Sequence, residues 1–245
     1  YVDNDPVNEV DPFGFWKLGI HERITEEAFQ RLLCRLSYSS KDLLEGLKMG
    51  SKGPDIPDGI GTATKFFVDV ESGIYSDDTI RYYWGTSLTY RSHYGDLQWW
   101  HGMVSNERTP GEMQQKMINL FIDNVSLFRS NVERDPIAAA TALGFGLHMI
   151  EDSFSKSHVQ RASDWTIRRF QSYPGQDSHR HGDADSEVGS AEYQRAVAVV
   201  EHLLRLVLCD NADESDIRKY LTNEALRISP RTVVGGSLNE YRRLQ

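Results

Sequence analysis

Apolar positions recur at helical spacing along most of the chain, with charged positions between them. In residues 21–36, Ile24, Ala28 and Leu32 share one face, and acids lie early and bases late. A Thr-Pro-Gly-Glu capping box at Thr109 opens a long amphipathic segment. The pattern predicts an all-α fold, a multi-helix bundle with long irregular loops. Helices are expected over residues 21–36, 40–49, 110–132, 136–150, 165–170, 190–208 and 215–228.

The most apolar of these helices is the one expected to be buried at the centre. Asp135 supplies an N-cap, a proline follows it, and Ile137–Ile150 is nearly all apolar. The helix carries His148 and Asp152, four residues apart and therefore on one face. Such a pair can hold a metal ion, with the second carboxylate oxygen reaching another ion. A hydrogen-bonded His–Asp pair in the core is the alternative.

Bulk composition narrows the class of protein. The 245 residues suffice for one large domain or two small ones, and 39% hydrophobic with 26% charged residues indicates a globular protein. No run of 18 apolar residues occurs, and the polar, acidic start does not resemble a signal peptide. The net charge of -9 argues against a broad electrostatic grip on nucleic acid, and it is compatible with bound divalent cations.

Histidines are clustered rather than scattered. Six of the eight lie beside acids in three short tracts, at positions 93 and 101, 148 and 158, and 179 and 181. Of the other two, His21 begins the first helix and His202 is interpreted as an ordinary helix residue. Cys34 and Cys209 lie in apolar patterns and are expected to be buried free thiols. Ligands of the His, Asp and Glu type, without cysteine, favour zinc in a catalytic site.

The first fifteen residues are rich in turns and differ in character from the rest of the chain. They resemble the end of the core of Rhs (YD-repeat) proteins, where the chain joins a variable C-terminal toxin. The resemblance implies self-cleavage just after the Asp-Pro-x-Gly motif, a core end at 1–15 and a toxin domain at 16–245. It further implies a secreted effector delivered into target cells, held in its own Rhs shell and neutralised by a cognate immunity protein. The matching residues are Tyr1, Val2, Asn4, Pro6, Val7, Asn8, Asp11, Pro12 and Gly14.

The order of ligand-type residues after Phe15 is similar to that of the zinc-dependent phospholipase C family. The order runs Trp, His-x-x-Ile-Thr-x-x-Ala, Pro-Asp, His, His-x3-Asp-x5-His and His-x3-Asp/Glu. The single-strand-specific zinc nucleases share that family's fold. The resemblance implies a mostly helical protein that binds up to three zinc ions in one cleft.

The resemblance also implies roles for individual residues. Asp152 would bridge two ions, and Asp55 would serve as a ligand or as the general base. The closing pair would be His181 with Asp185, or alternatively His179 with Asp183. The free amino group of Trp16, released by a cut after Phe15, would bind one zinc. The remaining implied ligands are His21, His148, His158 and His101, with His93 as the alternative to His101.

Three functions are expected on this basis. The first is a zinc-dependent phosphodiester hydrolase of phospholipase C type, acting on membrane phospholipids of a target cell. The alternatives are a zinc nuclease on the same scaffold and a non-enzymatic helical toxin that acts on membranes, in which His and Asp serve structure alone.

The segment Gly53–Gly59 presents carboxylates in a tight loop, and taken alone it would be interpreted as a surface turn.

Overall fold

The computed structural model describes residues 19–56, 88–93, 95–173 and 188–236. The described helices are α1 (Gly19–Gln30), α2 (Ser40–Ser51), α3 (Leu88–His93), α4 (Pro110–Asn131), α5 (Pro136–Asp152), α6 (Ala191–Leu204) and α7 (Glu214–Tyr220). The strands are β1 (Val159–Arg161), β2 (Ile167–Phe170) and β3 (Ile228–Val234). Single 3₁₀ turns occupy Gly53–Asp55 and Gln98–His101, and π turns Arg205–Cys209 and Leu221–Ala225 extend α6 and α7. The fold is therefore mostly helical with a small sheet, and not purely α.

Local capping chemistry sets where most of the described helices begin. The Thr109 side chain accepts the backbone N–H of Glu112, whose own side chain returns a bond to the cap, as the capping box predicts. Asp135 caps α5 in the same way through the N–H of Ala138. These caps confirm the two predicted helix starts. Sequence could predict them because a cap depends only on residues three positions apart. The other side chains that cap a described helix are Ser39, Ser190 and Asp213.

Helix α5 is buried between α2 and α4, and α1 packs against α6. The apolar residues of these helices form one continuous core, which includes the fully buried Leu43, Leu47, Phe121, Leu143 and Leu147. The burial of α5 on several sides explains its nearly uninterrupted apolar sequence. Among the described helices, none combines the length and the apolar character needed to cross a bilayer.

Glycines allow α2 and α5 to approach each other unusually closely. A Cβ on Gly50 would overlap the carbonyl oxygen of Thr141, and a Cβ on Gly144 would overlap that of Leu47. The backbones are thus in direct contact, which larger side chains would prevent. The close approach brings the end of α2, and the 3₁₀ turn after it, against the last turns of α5.

The small sheet corrects two of the predicted helices. Strand β1 pairs antiparallel with β2, and β2 pairs parallel with β3, about sixty residues further along the chain. The helix predicted over residues 165–170 is wrong, because Trp165 adopts a positive φ and Ile167–Phe170 extends as a strand with both ends buried. The helix predicted over 215–228 ends by Ala225, and β3 begins at Ile228. The partners of these strands are distant in sequence, so local periodicity did not reveal them.

The cysteine prediction is also wrong. Cys34 and Cys209 form a disulfide, with their Cα atoms 5.8 Å apart and a separation of 175 positions in sequence. Helix α1 ends at Gln30, six residues before the predicted end, so Cys34 lies in the irregular segment between α1 and α2. The apolar spacing around each cysteine carried no information about a partner so far away.

Candidate metal centre

Seven ligand-type side chains converge in one buried cluster, and six separate segments supply them. Helix α5 supplies two, the turn after it supplies one, and the remainder come from α1, the two 3₁₀ turns and the end of α3. Each of the seven is at most 3% exposed. Trp16, His179, His181, Asp183 and Asp185 lie outside the described residues. The seven residues are His21, Asp55, His93, His101, His148, Asp152 and His158.

The carboxylate of Asp152 lies at the middle of this cluster. Its Oδ2 is 2.9 Å from His148 Nε2 and 2.9 Å from His101 Nδ1. The same oxygen is 3.5 Å from Nδ1 of His158, while Oδ1 lies 3.4 Å from Nε2 of His21. The two oxygens therefore approach different imidazoles, which is the arrangement that a carboxylate bridging two ions requires.

Asp55 enters the cluster from the 3₁₀ turn after α2. Its Oδ1 lies 3.5 Å from His148 Nε2 and 3.7 Å from His101 Nδ1, and Oδ2 lies 3.9 Å from His21 Nε2. The side chain is 3% exposed, so Asp55 faces the cluster, and the alternative of a surface turn does not hold for this residue. Pro54 and the close α2–α5 packing direct the turn inward.

Three imidazoles are oriented by hydrogen bonds from Nδ1. His148 Nδ1 donates to the Ser51 carbonyl at 2.6 Å, and His158 Nδ1 donates to the His101 carbonyl at 2.7 Å. His21 Nδ1 is 2.6 Å from Oε2 of Glu151. A carbonyl only accepts, so Nδ1 of His148 and Nδ1 of His158 each carry a proton. In the neutral form of these rings, Nε2 is then the atom with the lone pair that a metal ion needs.

Among the residues that the structure describes, two buried groups could hold a metal ion. One consists of His21, His148 and Asp152, and the other of Asp55, His93 and His101. Within each group the ligand atoms lie within 4.8 Å of one another. The sequence offered His101 and His93 as alternatives, and the fold brings both into the second group. Their rings lie 4.5 Å apart, centroid to centroid.

Without an ion, the cluster has strongly perturbed acid–base behaviour. Burial raises the pKa of Asp55 to about 6, against the lowering effect of His148 and His21. Burial also lowers the pKa of His101 to about 4, although Asp152 opposes it. Burial acts to raise the pKa of Asp152, but the surrounding imidazoles hold it well below its usual value. Burial acts to lower the pKa of His21, and the neighbouring carboxylates raise it well above its usual value. Asp55 therefore takes up a proton more readily than a free aspartate, whereas Asp152 and His21 favour their charged forms.

Three buried polar atoms of the cluster provide a direct test of whether a cation fits. In the described part of the chain, Asp55 Oδ2, Asp152 Oδ1 and His101 Nε2 make no hydrogen bond. Buried polar atoms without partners are rare and costly, because they lose water and gain nothing in return. All three are atoms that coordinate zinc in proteins. Asp152 belongs to one of the two ligand groups, and Asp55 and His101 belong to the other, so cations held by both groups would give these atoms partners. The donor set therefore fits metal ions.

Sequence reasoning missed Glu151 in this cluster. It is fully buried, and it contacts His21 and Thr25 on α1. The available signal was a second acid beside Asp152 on an otherwise apolar helix. His202, interpreted as an ordinary helix residue, belongs to neither group and stacks on Tyr220 with ring centroids 4.1 Å apart.

Comparisons with protein-family models, with curated proteins and with solved structures found no match to this chain.

Proposed function

We propose that this chain is a zinc-dependent phosphodiester hydrolase of phospholipase C type. The observation that carries the proposal is the convergence of two buried ligand groups around Asp152 and Asp55. A single structural His–Asp pair requires no such convergence, whereas hydrolysis of a phosphodiester at paired metal ions does. The residues involved are also those that the resemblance to the zinc-dependent phospholipase C family implies.

Zinc bound at this centre would supply a Lewis acid that polarises phosphate oxygens and offsets the negative charge of the transition state. The side chains would hold the ions and accept the proton of the water. His148 and Asp152, fixed on one face of α5, would be the central ligands of the first group. Asp55 is the carboxylate positioned to act as the general base that accepts the proton of the attacking water.

The reaction balances as a hydrolysis. A water oxygen bonds to phosphorus, the bond between phosphorus and the diacylglycerol oxygen breaks, and Asp55 takes the water proton. The departing oxygen takes up a proton from solvent. The products are diacylglycerol and a phosphorylated head group.

Two observations favour a lipid over a nucleic acid as the substrate. The chain carries a net charge of -9, which opposes the broad phosphate contacts that nucleic-acid binding uses. Beside the metal ligand His101, Trp100 packs edge-on against Phe145 of α5 with ring centroids 5.0 Å apart, and both rings are partly exposed. Partly exposed aromatic side chains suit an interface between water and lipid.

Delivery as an Rhs effector forms the second half of the proposal. It rests on the resemblance of residues 1–15 to the end of an Rhs core, and it includes a cognate immunity protein as partner. Co-expression supplies the test: the chain should be toxic in a sensitive cell, and a protein encoded beside it should bind the toxin and restore growth. Toxicity that no such protein relieves would contradict this half alone.

The enzymatic half is tested by metal analysis combined with two substrates. The purified chain should contain zinc, release phosphorylated head groups from phospholipid vesicles and lose this activity with a chelator. Single-stranded DNA should remain intact under the same conditions. Cleavage of DNA without lipid hydrolysis would establish the nuclease alternative, and a fully folded chain that binds no metal would exclude both enzymes. Leakage of vesicles without hydrolysis would support the membrane-active alternative.

A further inference from the structure

Glu151 connects α5 to α1 through a fully buried carboxylate. Its Oε2 accepts a hydrogen bond from Nδ1 of His21 at 2.6 Å, and its Oε1 accepts one from Oγ1 of Thr25 at 2.7 Å. The two donors are four residues apart on α1 and therefore lie on the same face. Glu151 itself has no exposed surface. Both of its oxygens are thus occupied by donors of one neighbouring helix.

The burial of a carboxylate at this position is energetically costly and requires an explanation. Removing an ionised carboxylate from water is very unfavourable, and two hydrogen bonds offset only part of that cost. Glu151 belongs to neither of the two groups that could hold a metal ion. Of the two residues that it contacts, Thr25 and His21, only His21 is a member of the first group, so its charge acts on the candidate site through His21.

The three oriented imidazoles differ in the group that accepts the hydrogen bond from Nδ1. His148 and His158 donate from Nδ1 to backbone carbonyls, which are neutral. His21 donates to a carboxylate, which carries a full negative charge. A charged acceptor on one nitrogen fixes the tautomer and increases the basicity of the other nitrogen, so it strengthens the bond of that imidazole to a cation. Nε2 of His21 faces Oδ1 of Asp152 at 3.4 Å.

We propose that Glu151 is a positioning residue of the metal centre. It holds the Nδ1 proton of His21, directs Nε2 toward Asp152 and makes the group of His21, His148 and Asp152 the tighter of the two metal positions. The proposal rests on the metal centre proposed above and adds an order of affinity to it. Because Glu151 and Asp152 are neighbours in α5, one helix end supplies both a ligand and the support of a second ligand.

The test compares metal affinity, not turnover, in the full chain. Glu151→Gln keeps the size of the side chain and its capacity for hydrogen bonds, but it removes the charge. The affinities for Zn²⁺ and Co²⁺ are measured by competition with a chromophoric chelator, and the visible absorption of bound Co²⁺ reports the ligand geometry. The tighter of the two binding steps should weaken by roughly 10–100-fold, the usual effect of losing such a partner.

Glu107→Gln is the matched control. Glu107 is also a buried carboxylate, bonded to the N–H groups of Ser105 and Asn106, and it lies outside both metal groups. Its neutralisation should leave both metal affinities and the Co²⁺ spectrum unchanged. Glu151→Asp keeps the charge and should retain a higher metal affinity than Glu151→Gln. If the glutamine variant is insoluble, the aspartate variant still allows the test.

The outcomes separate this inference from the proposed function. A wild-type chain that binds neither ion would overturn the metal centre itself. A wild-type chain that binds metal, with Glu151→Gln equal to it in affinity and spectrum, would overturn the positioning role alone. Equal losses in Glu151→Gln and Glu107→Gln would also overturn it, because they would indicate a general effect of buried charge.

Discussion

Nε2 of His148 lies 2.9 Å from Oδ2 of Asp152, one helical turn along α5, and both side chains are at most 1% exposed. The spacing of four residues sets this distance, since positions i and i+4 stack on one helix face. The tertiary structure then adds a second constraint, because the Ser51 carbonyl holds the far nitrogen of the same imidazole. The His148 ring is thus fixed in position beside Asp152, and its Nδ1 carries a proton.

Replacing either member of this pair should remove the metal and the activity together. We expect His148→Ala and Asp152→Ala to lose hydrolysis and to lower metal affinity by more than about 100-fold, the upper loss for a mere supporting partner. The variants should remain helical by circular dichroism, although part of their stability will disappear with the metal. His202→Ala, a histidine outside both groups, is the matched control. Full activity in either site variant would remove the central claim.

Asp55 is expected to contribute more to the reaction than to metal retention. Asp55→Asn should keep the ion of the His21, His148 and Asp152 group, which does not include it. Hydrolysis should fall by roughly 10²–10⁴-fold, the usual effect of losing a general base. Zinc content and turnover are measured on the same preparation. If both fall in the same proportion, Asp55 is a metal ligand and its assignment as the base is wrong.

The contact between α2 and α5 should tolerate no added side chain. In Gly50→Ala the new Cβ would overlap the Thr141 carbonyl and the N of Phe145, both backbone atoms that cannot turn aside. We expect a loss of roughly 1–3 kcal/mol in the free energy of unfolding, as is typical of overpacking. Metal affinity should fall as well, because a shift of this helix end would also move Ser51 and the turn that carries Asp55.

Gly111→Ala is the control for this contact, since a Cβ there meets nothing within 4 Å. Its free energy of unfolding should stay the same or rise slightly, because alanine is the better helix former. Denaturant unfolding of both variants, without metal, makes the comparison. Equal stability of Gly50→Ala and the wild type would show that the two helices can separate without cost.

The parts of this molecule that sequence could predict are those that local chemistry determines. The starts of α4 and α5 followed from Thr109 and Asp135, whose side chains cap an N–H three residues away. The placement of His148 beside Asp152 followed from helical spacing alone. The clustering of six histidines beside acids pointed to the candidate site, and five of the six histidines that the structure describes lie in it.

The parts that sequence missed depend on contacts between distant residues. The residues of strand β2 were predicted as a helix. Their parallel partner lies about sixty residues away, so the local pattern could not reveal the pairing. Glu151 escaped notice because only the packing of α1 against α5 shows that it faces His21 and not solvent. His93 and His101 remained alternatives because sequence order cannot show that both histidines of one tract reach the same ligand group.

The disulfide should stabilise the chain without affecting the metal centre. Cys34 and Cys209 close a loop of 175 residues, so the bond restricts the unfolded chain severely. Replacing both with serine should lower the free energy of unfolding by about 2–4 kcal/mol, a typical value. Zinc content should not change, because neither cysteine belongs to a metal group. Alkylation and mass measurement before and after reduction verify the bond, and two free thiols in oxidised protein would contradict it.

Processing is expected to create a metal ligand. Asp11-Pro12-Phe13-Gly14 resembles the cleavage signal of an Rhs core, and a cut after Phe15 would leave Trp16 at the amino terminus. Helix α1 begins at Gly19, and the buried His21 lies in its first turn. Trp16 lies outside the described residues, three positions before the start of α1 in the sequence.

The chemistry of that amino group gives the prediction its direction. An α-amino group has a reference pKa of about 7.7–8.0, so it can lose its proton to a cation at neutral pH, which a peptide nitrogen cannot readily do. A chain that begins at Trp16 should therefore bind one ion more tightly, and be more active, than a chain that begins at Tyr1. Acetylation of the Trp16 amino group should abolish the difference. Sequencing of the amino terminus from cells identifies the natural cut, and equal zinc affinity and activity in all three forms would show that the amino group takes no part in the site.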